Sequence, residues 1–183
     1  MMDAIALLKD DHTKVKSLFA EYFELPAVLN ARERASGPSL ARLAAAQPER
    51  KRALAEKILQ ELLVHERIEE EIFYPAFKAT GKDAREETQH AKEEHELVDS
   101  LVNQLMEISL DDERFDATFA VLRENVEHHI KDEEEKMLPA AQRNFGTSRL
   151  QTLGREMMTY KEELTRQLAG PKKAGDKKRE LEH

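Results

Sequence analysis

Two copies of one short pattern carry the histidines and glutamates that are best placed for chemistry. His65 and His129 are each followed four residues later by the first of three glutamates and ten residues later by a proline. Residues four apart on a helix differ by about 40° around the axis and about 6 Å along it, so a histidine and its glutamate can enter one cavity. The repeat therefore predicts that two related helices direct these pairs, His65 with Glu69 and His129 with Glu133, into the same interior.

Two further histidines should face the same interior. His12 and His95 each lie in the middle of an apolar stripe with helical spacing. Ionised carboxylates are costly in an apolar core, and two that face each other repel unless one is protonated. Two bound cations would remove both difficulties if they shared the carboxylates as bridges and each took two histidines. Nitrogen and oxygen ligands without sulfur suit iron, manganese or zinc.

The order of these motifs resembles that of the hemerythrin HHE cation-binding family. A histidine on the first helix, H-x-x-x-E on the second, a histidine on the third and H-x-x-x-E on the fourth cover roughly residues 3 to 143. The resemblance implies a non-haem diiron centre with an oxo or hydroxo bridge, for which manganese or zinc could substitute. It also implies a protein that binds or senses oxygen or iron, or handles peroxide or nitric oxide. Carried over by motif, the bridging carboxylates would be Glu69 and Glu133, and the terminal ligands His12, His65, His95 and His129.

The third helix departs from the pattern of the oxygen-carrying hemerythrins, which have two histidines four apart there. The position four before His95 is Ala91. His90 lies about 140° from the direction of His95, so it could reach a metal only through a distorted helix, for example at a π-bulge. Without that ligand the two metals become nearly equivalent and both could offer an open position. This favours redox or peroxide chemistry over reversible oxygen carriage.

Helical spacing of the apolar residues predicts an all-α protein, an up-down-up-down four-helix bundle with an additional C-terminal helix. Residues 1–169 would form the bundle, with the metal-binding core at 3–143 and the extra helix at 147–168, packed on the outside. Residues 170–183 would be a disordered basic tail that ends in a probable tag remnant. Caps and helix breakers predict where each helix begins or ends. The first helix should span about residues 3 to 29, and a short helix over Pro38 to Ala46 should precede the second, which starts at Pro48. The third should span about Asp83 to Ile108, the fourth should start after Asp111-Asp112, and the fifth after Thr147-Ser148.

Several other polar side chains are assigned to less specific roles. His128 should point about 100° from His129, towards the rim of the bundle. Glu66 or Glu94 could supply an extra ligand or a contact to a histidine N–H. The three tyrosines are expected in the core or at an interface, although one of them could approach the metal. Apart from such a contact, four glutamates are expected to be solvated surface charges, and these are Glu66, Glu70, Glu134 and Glu135.

Composition excludes several classes of function. The formal net charge is -8 and the one compact basic run lies near the C-terminus, so nucleic acid is an unsuitable partner. The absence of cysteine excludes thiolate zinc sites and cysteine-ligated iron–sulfur clusters. No run approaches the ~20 apolar residues of a membrane span, and no signal peptide pattern is present, so we expect no membrane partner and a cytoplasmic protein.

The sequence leaves three functions open. The first is a diiron protein that acts on a diatomic ligand or peroxide, either as an enzyme or as a binding protein. The second is a non-enzymatic iron or oxygen sensor that signals to a partner, and the third is a metal-free helical interaction protein. A ferritin-like site is disfavoured because its Glu-x-x-His order is the reverse of the order here. A homodimer through the fifth helix is also left open.

Overall fold

The computed structural model describes residues 2–25, 38–110 and 112–169, and the side chains of these residues except 38–47 and 169. Within these ranges the chain forms five helical rods and no strand, which confirms the predicted all-α bundle with an added helix. The predictions for residues 26–37 and for the tail at 170–183 fall outside the described residues. The helices are α1 (Ala4–Glu24), α2 (Pro38–Ile68), α3 (Tyr74–Lys78), α4 (Lys82–Glu107), α5 (Glu113–Asp132), α6 (Leu138–Asn144) and α7 (Thr147–Ala169).

Side-chain caps explain where two of the rods begin. The carboxylate of Asp3 accepts a hydrogen bond from the backbone N–H of Ala6 at 2.9 Å, and that of Asp112 accepts one from Arg114 at 2.9 Å. Such caps satisfy backbone donors that have no partner within the helix. Both beginnings agree with the predicted ones to within a residue or two.

Pro48 lies inside α2 instead of at the start of a helix. The sequence predicted a short helix over Pro38 to Ala46 and a second one from Pro48, but the structure has one continuous helix, Pro38–Ile68. A proline in a helix interior removes one backbone hydrogen bond and costs about 3 kcal/mol. Residues 39–47 are rich in alanine, leucine, arginine and glutamine, whose strong helix propensity favours continuation on both sides of the proline. The predicted break at this proline was therefore wrong.

A five-residue π-helical segment begins at each predicted bridging glutamate, over Glu69–Phe73 and Glu133–Met137. The backbone N–H of Tyr74 donates to the carbonyl of Glu69, and that of Leu138 donates to the carbonyl of Glu133, so each bond spans five residues. The next residue in both rods is a proline, which has no N–H and whose ring crowds the carbonyl four residues earlier. The sequence suggested a π-bulge only for the third rod, but that rod, α4, is a regular α-helix.

Two apolar clusters enclose one polar level of the bundle. In the first cluster Phe73 stacks on Phe77, and α7 adds Met157. In the second, Phe19 and Phe119 meet with their ring centroids 5.4 Å apart. The predicted metal ligands fall between the two clusters along each of the first four rods, so the polar level is closed to water from both ends. No helix in the described part of the chain is both long and apolar enough to cross a membrane.

The fifth rod, α7, packs on the outside of the bundle against α1 and α2, as the sequence predicted. Its closest approach uses Gly154. A Cβ atom added there would lie 2.7 Å from the carbonyl carbon of Asp3 and 2.8 Å from the backbone nitrogen of Ala4. Because these neighbours are backbone atoms, they have little freedom to move away.

We predict that Gly154→Ala destabilises the protein although alanine is the better helix former. Overpacking against the backbone should lower the free energy of unfolding by about 2 to 3 kcal/mol, measured by urea denaturation. Thr159→Ala, at an exposed position of the same helix, provides the control. It gains helix propensity without meeting another backbone and should stay within about 0.5 kcal/mol of the parent or exceed it. Equal stability of Gly154→Ala and the parent would contradict the close approach.

Candidate metal centre

Four buried imidazoles meet at the polar level, one from each of the first four rods. They form two edge-to-face pairs. The rings of His12 and His65 have centroids 4.8 Å apart with planes at 80°, and those of His95 and His129 have centroids 4.7 Å apart at 66°. The structure thus brings together all four histidines that the sequence assigned to the interior.

The two glutamates lie between the imidazole pairs. Glu69 Oε2 is 3.5 Å from Nε2 of both His65 and His95. Glu133 Oε2 is 3.2 Å from Nε2 of His12 and 3.7 Å from Nε2 of His129. Both carboxylates are almost fully buried. Each one therefore contacts one imidazole from each pair, which is the arrangement that a bridging ligand requires.

These donors form two groups that share Glu69. The first group has its ligand atoms within 4.8 Å of one another and comprises His12, His65, Glu69 and Glu133; the second comprises Glu69, His95 and His129. Each residue of the first group has a buried atom without a hydrogen-bond partner, namely Nε2 of His12, Nε2 of His65, Oε1 of Glu69 and Oε2 of Glu133. Buried polar groups without partners are rare in proteins and costly. The residues therefore fit a bound cation, which would satisfy all four atoms at once.

The opposite pKa shifts of the two facing glutamates agree with this fit. Burial and the facing carboxylate of Glu133 raise the pKa of Glu69 well above its ordinary value. Glu133 is equally buried, but the imidazoles of His129 and His12 outweigh burial and lower its pKa. Burial lowers the pKa of His65 to about 4. One carboxyl thus keeps a proton beside an ionised one, and a metal ion can replace that proton.

Each imidazole also has a carboxylate near its outer nitrogen, Nδ1. Such a partner orients the ring and, when hydrogen-bonded to Nδ1–H, leaves Nε2 as the inward-facing electron-pair donor, as at known metal sites. The four Nδ1-to-oxygen distances are 3.0 Å for His12 to Glu134, 3.0 Å for His95 to Glu70, 2.9 Å for His129 to Glu94 and 3.9 Å for His65 to Asp11.

The contacts follow an approximate two-fold relation between the first and third rods and between the second and fourth. The relation exchanges His12 with His95, His65 with His129, Glu69 with Glu133, Glu134 with Glu70, and Asp11 with Glu94. The repeat in the sequence indicated only the half of this relation that connects the second and fourth rods. The six predicted ligands therefore form two half-sites with like contacts.

Tyr74 breaks the relation. Its hydroxyl donates to Glu133 Oε1 at 2.9 Å and lies 3.3 Å from His95 Nε2 and 3.5 Å from Glu69 Oε2. In a regular α-helix, a residue five positions after Glu69 would point about 140° away. The π-helical segment turns the Tyr74 side chain back towards the face that carries Glu69. The corresponding residue of the fourth rod is Leu138, which has no polar group. The near-equivalence of the two metals expected from the sequence therefore does not extend to this phenol.

The added helix α7 reaches the outer carboxylates on one side only. Lys161 donates a hydrogen bond to Oδ1 of Asp11. The other oxygen, Oδ2, has no hydrogen-bond partner and is the one near His65. The residue related to Asp11 is Glu94, which instead contacts the exposed imidazole of His128. A cation from outside the four-helix bundle thus holds one of the four outer carboxylates.

For the remaining polar residues, some predictions made from the sequence agree with the structure and others do not. The exposed positions of His90, His128 and Glu135 agree with the sequence analysis. The prediction that Glu66 is solvated was wrong, because it is buried and burial raises its pKa to about 8. It belongs to neither buried ligand group.

The predictions for Glu70 and Glu134 were right only in part, because both side chains are partly exposed but each hydrogen-bonds an imidazole of the predicted ligand set. A signal for these contacts was present. Each outer carboxylate is adjacent in sequence to a ligand, as Glu70 is to Glu69 and Asp11 to His12.

Comparison with known proteins agrees with this geometry. The uncharacterized protein Rv2633c of Mycobacterium tuberculosis and its Mycobacterium bovis counterpart Mb2666c are each 29% identical over 164 residues, covering 89% of this chain and 88% of theirs. The fold is similar to that of a hemerythrin HHE cation binding domain-containing protein from Mycobacterium kansasii, a homologue of Rv2633c. The TM-score is 0.72 at 24% identity, with 92% of this chain and 91% of that chain covered. The model of the hemerythrin HHE cation binding domain matches residues 3–141, and the chain belongs to that family.

Proposed function

We propose that this protein is a non-haem diiron protein whose centre reacts with peroxide. The proposal depends on one observation, the two buried donor groups that share Glu69, the first of which has four inward-facing atoms without hydrogen-bond partners. Iron is favoured among the metals that suit mixed imidazole and carboxylate ligands because the family resemblance implies it. Oxygen and nitric oxide belong to the same class of small ligand.

Some residues of the chain would bind the two ions, and others would orient the ligands or keep water away from them. His12 and His65 would hold one ion, His95 and His129 the other, and the two glutamates would bridge them. A pair of irons supplies reversible electron transfer to small oxygen species. The outer carboxylates would orient the rings, and the apolar clusters on both sides would exclude water, which strengthens every electrostatic interaction in the site.

The Tyr74 phenol favours a centre that reacts with peroxide over one that only binds oxygen reversibly. Burial and the nearby Glu133 raise its pKa well above the ordinary value, so it retains its proton at neutral pH. The hydroxyl donates that proton to Oε1 of Glu133 and also lies within reach of the second donor group. A buried acid in this position can deliver a proton to a reduced oxygen species or, once deprotonated, offer its oxygen as a further ligand.

A sensor is the second candidate function, and α7 favours it. The Lys161 ammonium, the Asp11 carboxylate and the His65 imidazole connect the outermost helix to the proposed centre. A change in the charge or position of His65 would therefore reach a surface that a partner could contact. Peroxide turnover by the iron-loaded chain distinguishes the two, because a sensor need not consume peroxide.

We predict that Glu133→Ala loses one or both metals, because it removes a carboxylate that contacts one imidazole of each pair. Metal content by elemental analysis and the optical spectrum provide the measurement. Glu135→Ala serves as the matched control, since it makes the same change at an exposed position two residues later. Metal content in Glu133→Ala equal to that of the parent would refute the bridge assignment.

Tyr74→Phe tests the role of the phenol oxygen. If that oxygen binds iron, the ferric protein has a phenolate-to-iron absorption in the visible region, and the variant should lose it while retaining its metal. Tyr22→Phe is the control, because Tyr22 is also buried but donates to Asp116 away from the centre. Superimposable visible spectra for the parent and Tyr74→Phe would show that the phenol is not a ligand.

Lys161→Met tests the connection from α7 to His65. Loss of the ammonium frees Asp11 and loosens the orientation of the ring, which should speed metal release to a chelator roughly tenfold, the lower end of effects at such positions. Arg166→Met on the same helix is exposed and bonds only to a carbonyl of its own helix, so its release rate should match the parent. Equal release rates for both variants would remove the role of Lys161.

A further inference from the structure

A groove lies at the surface beside the proposed centre, between α4 and the π-helical segment that begins at Glu133. Its volume is about 210 Å³, and Ala91 forms part of its wall. The methyl group of Ala91 leaves space that would be filled if this position carried the histidine expected in an oxygen-carrying hemerythrin. Glu133 also lines the groove, although it is only 2% exposed, and its Oε2 has no hydrogen-bond partner. The wall of the groove therefore includes one of the two predicted bridging residues.

A second set of ligand-type side chains lines the groove. His90, Glu94 and Asp132 each offer an atom, and these atoms lie within 4.8 Å of one another. Nδ1 of His90 is 3.7 Å from Oε2 of Glu94, and the imidazole is 63% exposed. One imidazole nitrogen and two carboxylates make a donor set for a borderline divalent cation such as ferrous iron, zinc or cobalt.

Two of these residues are directly connected to the buried centre. Glu94 Oε2 accepts a hydrogen bond from Nδ1 of His129 at 2.9 Å, so the same carboxylate serves both sites. Asp132 immediately precedes Glu133 in the sequence, and both residues line the groove. An ion at the outer set would have a carboxylate as its next neighbour on the inner side.

The charge of the lining identifies the type of ion. Its acidic members are Glu86, Glu87, Glu94, Asp132 and Glu133. The ammonium of Lys136 lies 2.6 Å from Oδ2 of Asp132, and its side chain is half exposed, so it can leave without unfolding anything. Such a surface concentrates cations, repels anions and gives neutral peroxide no charged partner. The Lys136 ammonium thus occupies the place next to Asp132 that a divalent cation would take.

We propose that His90, Glu94 and Asp132 form a third divalent-cation site, which captures ions at the groove and delivers them to the buried centre. The site itself is independent of the function proposed above. Its delivery role rests on that function, because it requires the buried centre to accept the ions.

Cobalt titration tests the site. The full chain is loaded with two equivalents of Zn²⁺, desalted and titrated with Co²⁺, which reports binding through its visible absorption. We expect one further Co²⁺ per chain. His90→Ala and Asp132→Asn should each weaken its binding at least about tenfold, whereas Lys136→Gln should tighten it roughly two- to fivefold, in line with loss of a surface ion pair.

Glu156→Gln is the control for charge. It removes one carboxylate, as Asp132→Asn does, but at an exposed position of α7 that lines a different cavity. Its cobalt affinity should match the parent. Absence of a third Co²⁺ in the parent, or equal affinities in Asp132→Asn and Glu156→Gln, would overturn the site.

The delivery role is tested by the rate of loading. The apoprotein is mixed anaerobically with Fe²⁺, and iron that remains available to a chromophoric chelator is followed with time. His90→Ala should load about tenfold more slowly but reach the same final iron content, with the parent's circular dichroism. An unchanged rate would overturn delivery. A parent that takes up no iron would instead refute the diiron proposal, and the cobalt titration would still decide the surface site.

Discussion

Glu69 and Glu133 face each other in an apolar interior, and the repulsion between two buried carboxylates is the constraint to which the surrounding structure responds. Four imidazoles surround the pair, and four further carboxylates lie near the outer nitrogens of those imidazoles. Four inward-facing atoms at this level, two of them carboxylate oxygens of Glu69 and Glu133, have no hydrogen-bond partner. The apolar clusters above and below supply the burial that makes such an unfavourable level tolerable.

The two-fold relation of the contacts, and the places where it fails, are both informative. Two like half-sites explain how a chain without internal identity beyond one short repeat can present equivalent donors to two ions. The relation fails at Tyr74, whose counterpart is Leu138, and at Asp11, which is held by Lys161. Both exceptions lie next to predicted ligands, so they make the two half-sites different while Glu69 and Glu133 still contact both imidazole pairs.

The π-helical segments connect the sequence repeat to this chemistry. In both rods the glutamate that begins the segment is followed six residues later by a proline, which cannot donate the backbone bond that a regular helix would use. The wider turn rotates the following residue towards the glutamate, and in the second rod that residue is Tyr74. In the fourth rod the segment beginning at Glu133 lines the groove between it and α4. Local backbone geometry thus accounts for the position of the phenol.

The sequence alone determined the number of rods, most of their bounds and the convergence of His12, His65, Glu69, His95, His129 and Glu133, because helical spacing places such residues on one face and burial of acids demands compensation. It did not determine the continuity of α2 through Pro48, since helix propensity and one missing hydrogen bond compete within a few kcal/mol. Nor did it determine which acid contacts which imidazole, or that Tyr74 and Lys161 reach the site. Those contacts join residues that are distant in the chain or lie past a change in helical pitch, so only the packed rods decide them.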